Sequence, residues 1–221
     1  MAMTMEELEA EVIRLKEQVA ECARAKDYIE IWKLQSTYTQ LYHTLRRSEI
    51  PNLFAQKTPG VAIELEDGGL YEGLAGIQKV FGGILSEKRH NTPGFMGLHM
   101  TVNPVIEINK AGTSARGVWY SHGSVSLSRE GELTAFWCLG RYDMEYVKEG
   151  GHWKFLKLAY RITYMTPYEK GWIKEPIGVS MGERIARFTD IEPDKPTTYH
   201  VPYSPDGLNE FGPPPPKPYE D

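Results

Sequence analysis

Cysteine is nearly missing from this chain: Cys22 and Cys138 are the only two in 221 residues. A disulfide framework is thereby excluded, and a reducing compartment fits. Also missing is any apolar run near the roughly 20 residues of a membrane-spanning helix. The acidic start MAMTMEELEAEV lacks the basic and then apolar pattern of a secretory signal. These absences predict a cytoplasmic protein with no membrane partner. Basic residues are scattered and the net charge is −5, so nothing offers phosphate an electrostatic footprint and nucleic acid is not an expected partner. There is no paired-cysteine zinc spacing, HExxH, phosphate loop, Rossmann fingerprint or nucleophile elbow, and no metal site is expected.

What is present reads as helices followed by strands. Thr4 and Glu7 form a capping-box signature, and Leu8, Val12, Leu15, Val19 and Cys22 recur at steps of four and three, the seam of a short amphipathic helix. A second helix is predicted from a cap at Asp27 to about Arg46 or Arg47, with Ile31, Leu34, Tyr38, Leu41, Tyr42 and Leu45 on its apolar side; Pro51 ends it. VAIEL, the turn EDGG and LYEG read as a hairpin, and LAGIQKVFGGIL as a short helix. From His99 onward come four strand-like runs, HMTVNPVIEI, ARGVWYSHGSVSLS, LTAFWCLGRYDMEYV and HWKFLKLAYRITYMT, joined by polar and glycine-rich turns. Helices first and a long antiparallel meander afterwards predict an α+β fold, with helices on one face of a curved sheet and a pocket between them. The expected organisation is an amphipathic helix over 1–26, a sheet domain over 27–167 and a proline-rich, extended arm over 168–221.

The candidate chemistry rests on histidine, tyrosine and arginine. With a strand period of two, His99, Thr101, Asn103, Val105 and Glu107 share one face, which is polar. On a flat sheet that face meets water; on a curved one it can line a pocket. His122 shares a face with Val118, Tyr120 and Ser124. Tyr38 lies at helical spacing with Ile31, Leu34 and Tyr42, where it either packs or donates its hydroxyl to a developing oxyanion. His43 lies about 140° round the helix from Tyr38 and reaches the same cavity only if the helix end frays or bends. Arg161 shares a face with Phe155, Lys157, Ala159 and Thr163, and is either an anion-holding group or half of a structural ion pair. His90, His152 and His200 lie in loop-like or terminal surroundings and are expected at the surface.

In order, IWKLQSTYTQLYHTL, NLFAQKTPGVAIE, GLYEGLAGIQKVF and GVWY resemble the SnoaL-like branch of the nuclear transport factor 2-like superfamily over roughly residues 27 to 165. The resemblance implies a cone, a strongly curved sheet wrapped round helices with a deep pocket inside, and an enzyme without cofactor. Bile acid 7α-dehydratase is similar in layout, with a helix tyrosine matching Tyr38 and a His-Met pair matching His99 and Met100. Scytalone dehydratase and a formaldehyde-releasing diarylpropane lyase belong to the same branch. The resemblance implies a catalytic set of His99, Tyr38, Arg161 and His122. His43, Tyr42, Trp119, Tyr120, Phe136 and Asn103 are the substrate-binding candidates. The family aspartate that partners the catalytic histidine falls at Gly123, leaving Asp143 or Glu107 to supply the acid. The expected reaction is elimination of water or formaldehyde from a hydroxylated aromatic or polycyclic molecule, in a homodimer or homotrimer. An isomerase or cyclase, or a binding module without chemistry, is the alternative.

Overall fold

One helix, α1, runs without interruption from Met5 to His43, so the two helices predicted from the sequence are joined into one. The computed structural model describes residues 3–129 and 131–220. Thr4 caps the helix in a complete capping box. Asp27 is no cap. Its carboxylate, buried on the helix side, accepts from Trp153 Nε1 at 2.9 Å and from Lys148 Nζ at 2.5 Å, which pins the middle of the helix to the sheet. Beyond Asp27 the stripe Ile31, Leu34, Gln35, Tyr38 and Thr39 is buried. Before it, Leu8, Val12, Leu15 and Val19 are all exposed.

A 3₁₀ turn at Arg47–Leu53 follows, then the hairpin β1 (Ala62–Leu65) and β2 (Leu70–Glu72). Next come α2 (Gly73–Lys79), a π-turn over Val80–Ile84 and a single turn, α3 (Glu87–His90). Four long strands complete the sheet: β3 (Met96–Ile108), β4 (Ser114–Arg129), β5 (Glu132–Glu149) and β6 (His152–Pro167). They match the four predicted runs because alternating apolar residues and glycine-rich turns leave no competing structure. The sheet order is β2-β1-β6-β5-β4-β3, antiparallel except for β1 against β6. Bulges between Val102 and Val105, Leu139 and Gly140, and Glu145 and Tyr146 bend the strands. The curved, unclosed sheet wraps the C-terminal half of α1, and Trp119 Nε1 donates to Tyr146 Oη, which in turn meets Gln35 Oε1 of the helix.

The chain after Pro167 does not trail away. Helices α4 (Gly171–Lys174) and α5 (Met181–Phe188) follow. Asp67, in the β1–β2 turn, accepts the N–H groups of Met181 and Gly182 at 2.9 and 3.0 Å and binds Ser180 Oγ at 2.5 Å. That clamp seats α5 against the hairpin. The final arm crosses its own sheet: Thr198 and Tyr199 meet Arg161, the Tyr203 N–H donates to the Thr163 carbonyl, and Arg141 donates to the Phe211 carbonyl.

Candidate functional site

A chamber enclosing about 60 Å³ lies between the end of α1, the concave face of the sheet and α5, with Tyr38, Tyr42, Glu66, His99, Cys138, Tyr142, Tyr160 and Arg184 among its walls. It adjoins a wider outer chamber of about 270 Å³. Leu85, His90, Phe95, Leu127, Met181 and Arg184 line both, so the two form one recess with an inner and an outer part.

His99 reaches the inner chamber because β3 alternates Gly97, His99 and Thr101 inward. Its ring stands edge-on to Tyr42 and Tyr160, with centroids 5.7 and 6.0 Å away. Its Nδ1 is sealed from solvent without a hydrogen-bond partner. The residue opposite it across the β3–β4 ladder is Gly123. A Cβ there would stand 2.1 Å from the Leu98 carbonyl oxygen and 3.0 Å from His99 Nδ1, so the position of the expected aspartate has no room for one. Burial lowers the His99 pKa to about 4, reinforced by the neighbouring His43 and Arg47, and the ring is a neutral base at physiological pH.

Four tyrosines surround this histidine. Tyr38 Oη lies 3.5 Å from Tyr142 Oη, the Tyr142 and Tyr160 rings are 4.8 Å apart, and Tyr160 Oη is 3.3 Å from Cys138 Sγ. Desolvation raises the pKa of Tyr38, Tyr142 and Tyr160 far above the ordinary phenol range. They stay protonated and serve as donors. Gly140 makes the space: a Cβ there would fall 2.6 Å from the Tyr160 hydroxyl.

Glu66 is the residue the sequence did not disclose. It sits in the EDGG turn with a left-handed φ of 49°, held by its N–H donating to the Tyr160 carbonyl at 2.9 Å, and a non-glycine residue in that region is strained. Burial and, next, the charge of Asp67 raise its carboxyl pKa to about 8, against an opposing pull from Arg184. A neutral carboxylic acid thus faces the chamber that holds a neutral imidazole. Nothing in the turn composition distinguished Glu66 from its neighbour Asp67; only packing did.

Other candidates are placed elsewhere. His122 and Tyr120 lie on the convex face, where His122 packs on Trp137 and Tyr120 under Arg141, because the strand parity that points Trp119, Ser121 and Gly123 inward turns them out. Arg161 is also convex: its Nη1 binds Glu64 Oε1 at 2.6 Å and the Tyr199 carbonyl at 3.0 Å. It is a structural pair that straps the arm, in a separate depression with Asp143. Asp143 therefore cannot orient His99. Asn103, with φ 49°, forms the β3 bulge. The bulge shifts the inward parity to Ile106, leaving Asn103 exposed and Glu107 off the His99 face. Trp119 and Phe136 are buried outside the chamber walls, Trp119 against Trp32 and Tyr146. His43 ends α1 and acts on the backbone: its Nε2 accepts the His99 N–H at 2.7 Å. That contact joins the helix end to β3 and requires an unprotonated Nε2, in keeping with a pKa lowered by burial. His90, expected at the surface, is 5% exposed. It lies where the chambers meet, with Nδ1 donating to the Ser86 carbonyl at 2.9 Å and a pKa brought down to about 4 by burial.

No group of three or more metal-ligating side chains gathers among the described residues, and none of their helices is long and apolar enough to cross a membrane. The SnoaL-like domain family model matches residues 23–159. LinA superposes with a TM-score of 0.57 at 17% identity, covering 67% of this chain and 93% of that one. A hexachlorocyclohexane dehydrochlorinase, LinA type 3, from Novosphingobium barchaimii gives 0.55 at 18%, with 66% and 93% covered. A scytalone dehydratase-like protein from Novosphingobium aromaticivorans gives 0.53 at 18%, with 72% and 99% covered. No curated protein matches the chain in sequence.

Proposed function

Because the chain belongs to the SnoaL-like domain family, we propose that its recess carries out cofactor-independent acid–base elimination on a small hydroxylated aromatic or polycyclic molecule. The observation that carries this reading is a neutral imidazole, His99, sharing one chamber with a protonated carboxyl, Glu66, and tyrosine hydroxyls. Structural neighbours described as a dehydrochlorinase and as scytalone dehydratase-like support elimination as the reaction type.

In a dehydration, His99 takes a proton from carbon and the released pair forms the double bond. The C–O bond breaks, and Glu66 gives its proton to the departing hydroxide, so water leaves. In a retro-aldol loss of formaldehyde, His99 takes the hydroxyl proton, the C–C bond breaks, and the pair left on the substrate is stabilised by Tyr38, Tyr142 or Tyr160 and protonated by Glu66. The use of a buried, neutral carboxylic acid as a donor has precedent in ketosteroid isomerisation. The same two groups could also move a proton between carbons, and product analysis separates that outcome.

The test is incubation with aromatic diols and hydroxysteroids without added cofactor, following alkene formation and released formaldehyde. His99→Ala is expected to lower turnover by about 10²–10⁴. Full turnover by that variant would remove His99 from the mechanism.

Self-association belongs to the same reading. Val12 and Val19 fall at a positions and Leu8, Leu15 and Cys22 at d, the arrangement that favours two parallel strands, and Glu11 at g can meet Lys16 at e of a second copy. This seam lies about 150° round the helix from the stripe that packs on the sheet. The chain's own domain therefore leaves it open, and a second copy of α1 is its proposed occupant.

A further inference from the structure

Two arginines bear on the recess, and among the described residues neither side chain makes a hydrogen bond or ion pair with a carboxylate. Arg184 projects from α5 into both chambers and makes no side-chain hydrogen bond or ion pair with a described residue. Arg47 is fully buried behind the inner wall. Its guanidinium lies 3.9 Å from the centre of the Tyr42 ring. Two of its donors reach the carbonyls of Tyr42 and Leu85 at 3.3 and 3.2 Å, while Nη2 has no partner. That Nη2 lies 3.7 Å from where a Cβ on Gly97, a wall residue, would stand.

A buried cation without a counter-ion is costly to a fold, and one retained beside a cavity gives that cavity a positive potential. The acids nearby are otherwise engaged: Glu87, close enough to feel the Arg47 charge, accepts from the Ser48 N–H and hydroxyl at 3.0 and 2.9 Å. Asp67 is committed to the N–H groups of α5, and Glu66 is the protonated donor already described. The remaining walls are tyrosine, histidine and apolar side chains. α5, which carries Arg184, lies outside residues 23–159, over which the family model matches.

Resting on the elimination reading, we propose that the substrate carries a carboxylate that pairs with Arg184 in the outer chamber, its ring lying inward against Tyr42 and Tyr160. Arg184 would choose the substrate and set its depth, placing the reacting carbon under His99. Arg47, too deep for direct contact, would favour negative charge on the inner part of the bound molecule. The arginine that orients substrate thus comes from α5 and not from β6, where Arg161 is occupied by Glu64.

The experiment compares 3-(4-hydroxyphenyl)propanoate with its primary amide, a neutral ligand of the same shape, by titration calorimetry on the full chain. The carboxylate is expected to bind about tenfold tighter or more, with affinity falling as salt rises. Arg184→Gln should weaken the carboxylate to the level of the amide and leave amide binding unchanged, while Arg184→Lys should keep part of the preference. Equal binding of both ligands to the unaltered protein, or equal weakening of both by Arg184→Gln, overturns the inference and leaves elimination standing. Carboxylate preference lost with Arg184, but no turnover of carboxylated or neutral hydroxylated aromatics, upholds the inference and removes the elimination reading. Failure of both ligands to bind overturns the inference and leaves elimination to the turnover assay. Unchanged melting of Arg184→Gln guards against a folding artefact.

Discussion

At the scale of single residues, burial decides protonation. His99 is held neutral and Glu66 is held protonated by the same cause, loss of water, acting on charges of opposite sign. The consequences for stability also have opposite signs. Glu66 has a folded pKa raised above its unfolded value, so its contribution is fully present below about pH 4.3 and is lost as pH rises toward about 8. His99 and His90, depressed to about 4, contribute stability that is present above about pH 6.5 and lost as pH falls through about 4. Between pH 7 and 9 the histidines are neutral in both states, and Glu66 alone among these three tilts the curve. Glu66→Gln should therefore melt progressively higher than the unaltered protein as pH rises across that interval, as scanning calorimetry would measure. The glutamine should also abolish the alkaline fall of kcat/KM that titration near pH 8 imposes. Parallel melting curves would mean that Glu66 is ionised. His99 was legible as a candidate from strand period and a family likeness. Glu66 was not, because a glutamate in EDGG is ordinary turn chemistry until the Tyr160 carbonyl and the sheet close over it.

At the scale of elements, α1 is two helices by pattern and one by structure. Its seam and its buried stripe occupy different sides, so sequence periodicity changed phase near Asp27 and suggested a break. At the change of phase the helix is pinned to the sheet by Asp27, held by Lys148 and Trp153. Asp27→Ala leaves the Lys148 ammonium and the buried Trp153 N–H without their acceptor. A loss of about 3 kcal/mol is expected in urea unfolding, and a change below about 0.5 kcal/mol would show that the clamp is not needed. The sheet was the most legible element, since four runs with hairpin turns allow little else. Its inward faces were less so: the bulge at Asn103 reverses the parity of β3, and a single inserted residue leaves no mark in an alternating pattern.

At the scale of the whole molecule, the exposed half of α1 and the extension after Pro167 serve different ends. The first carries the exposed seam Leu8, Val12, Leu15 and Val19, for which a second copy is the proposed occupant. The second folds back, with α5 over the recess and the arm strapped across the convex sheet through Arg161, Arg141 and Tyr203. Replacing Leu15 and Val19 together by Glu is expected to convert a dimer to a monomer in light scattering with the domain's melting retained; a dimer that persists would place association elsewhere. By itself the sequence determined the α+β class, the four long strands, the hairpin and the place of His99 on a candidate face, because local periodicity and turn residues specify elements through near neighbours in the chain. Only the tertiary structure decided which side chains share a chamber. It sent Arg161 and His122 to the convex face, brought Glu66 and Arg184 to the recess and filled the space opposite His99 at Gly123 with the Leu98 carbonyl. Those outcomes depend on strand bulges and on contacts between residues as far apart as Asp67 and Met181, whose encounter no local pattern encodes.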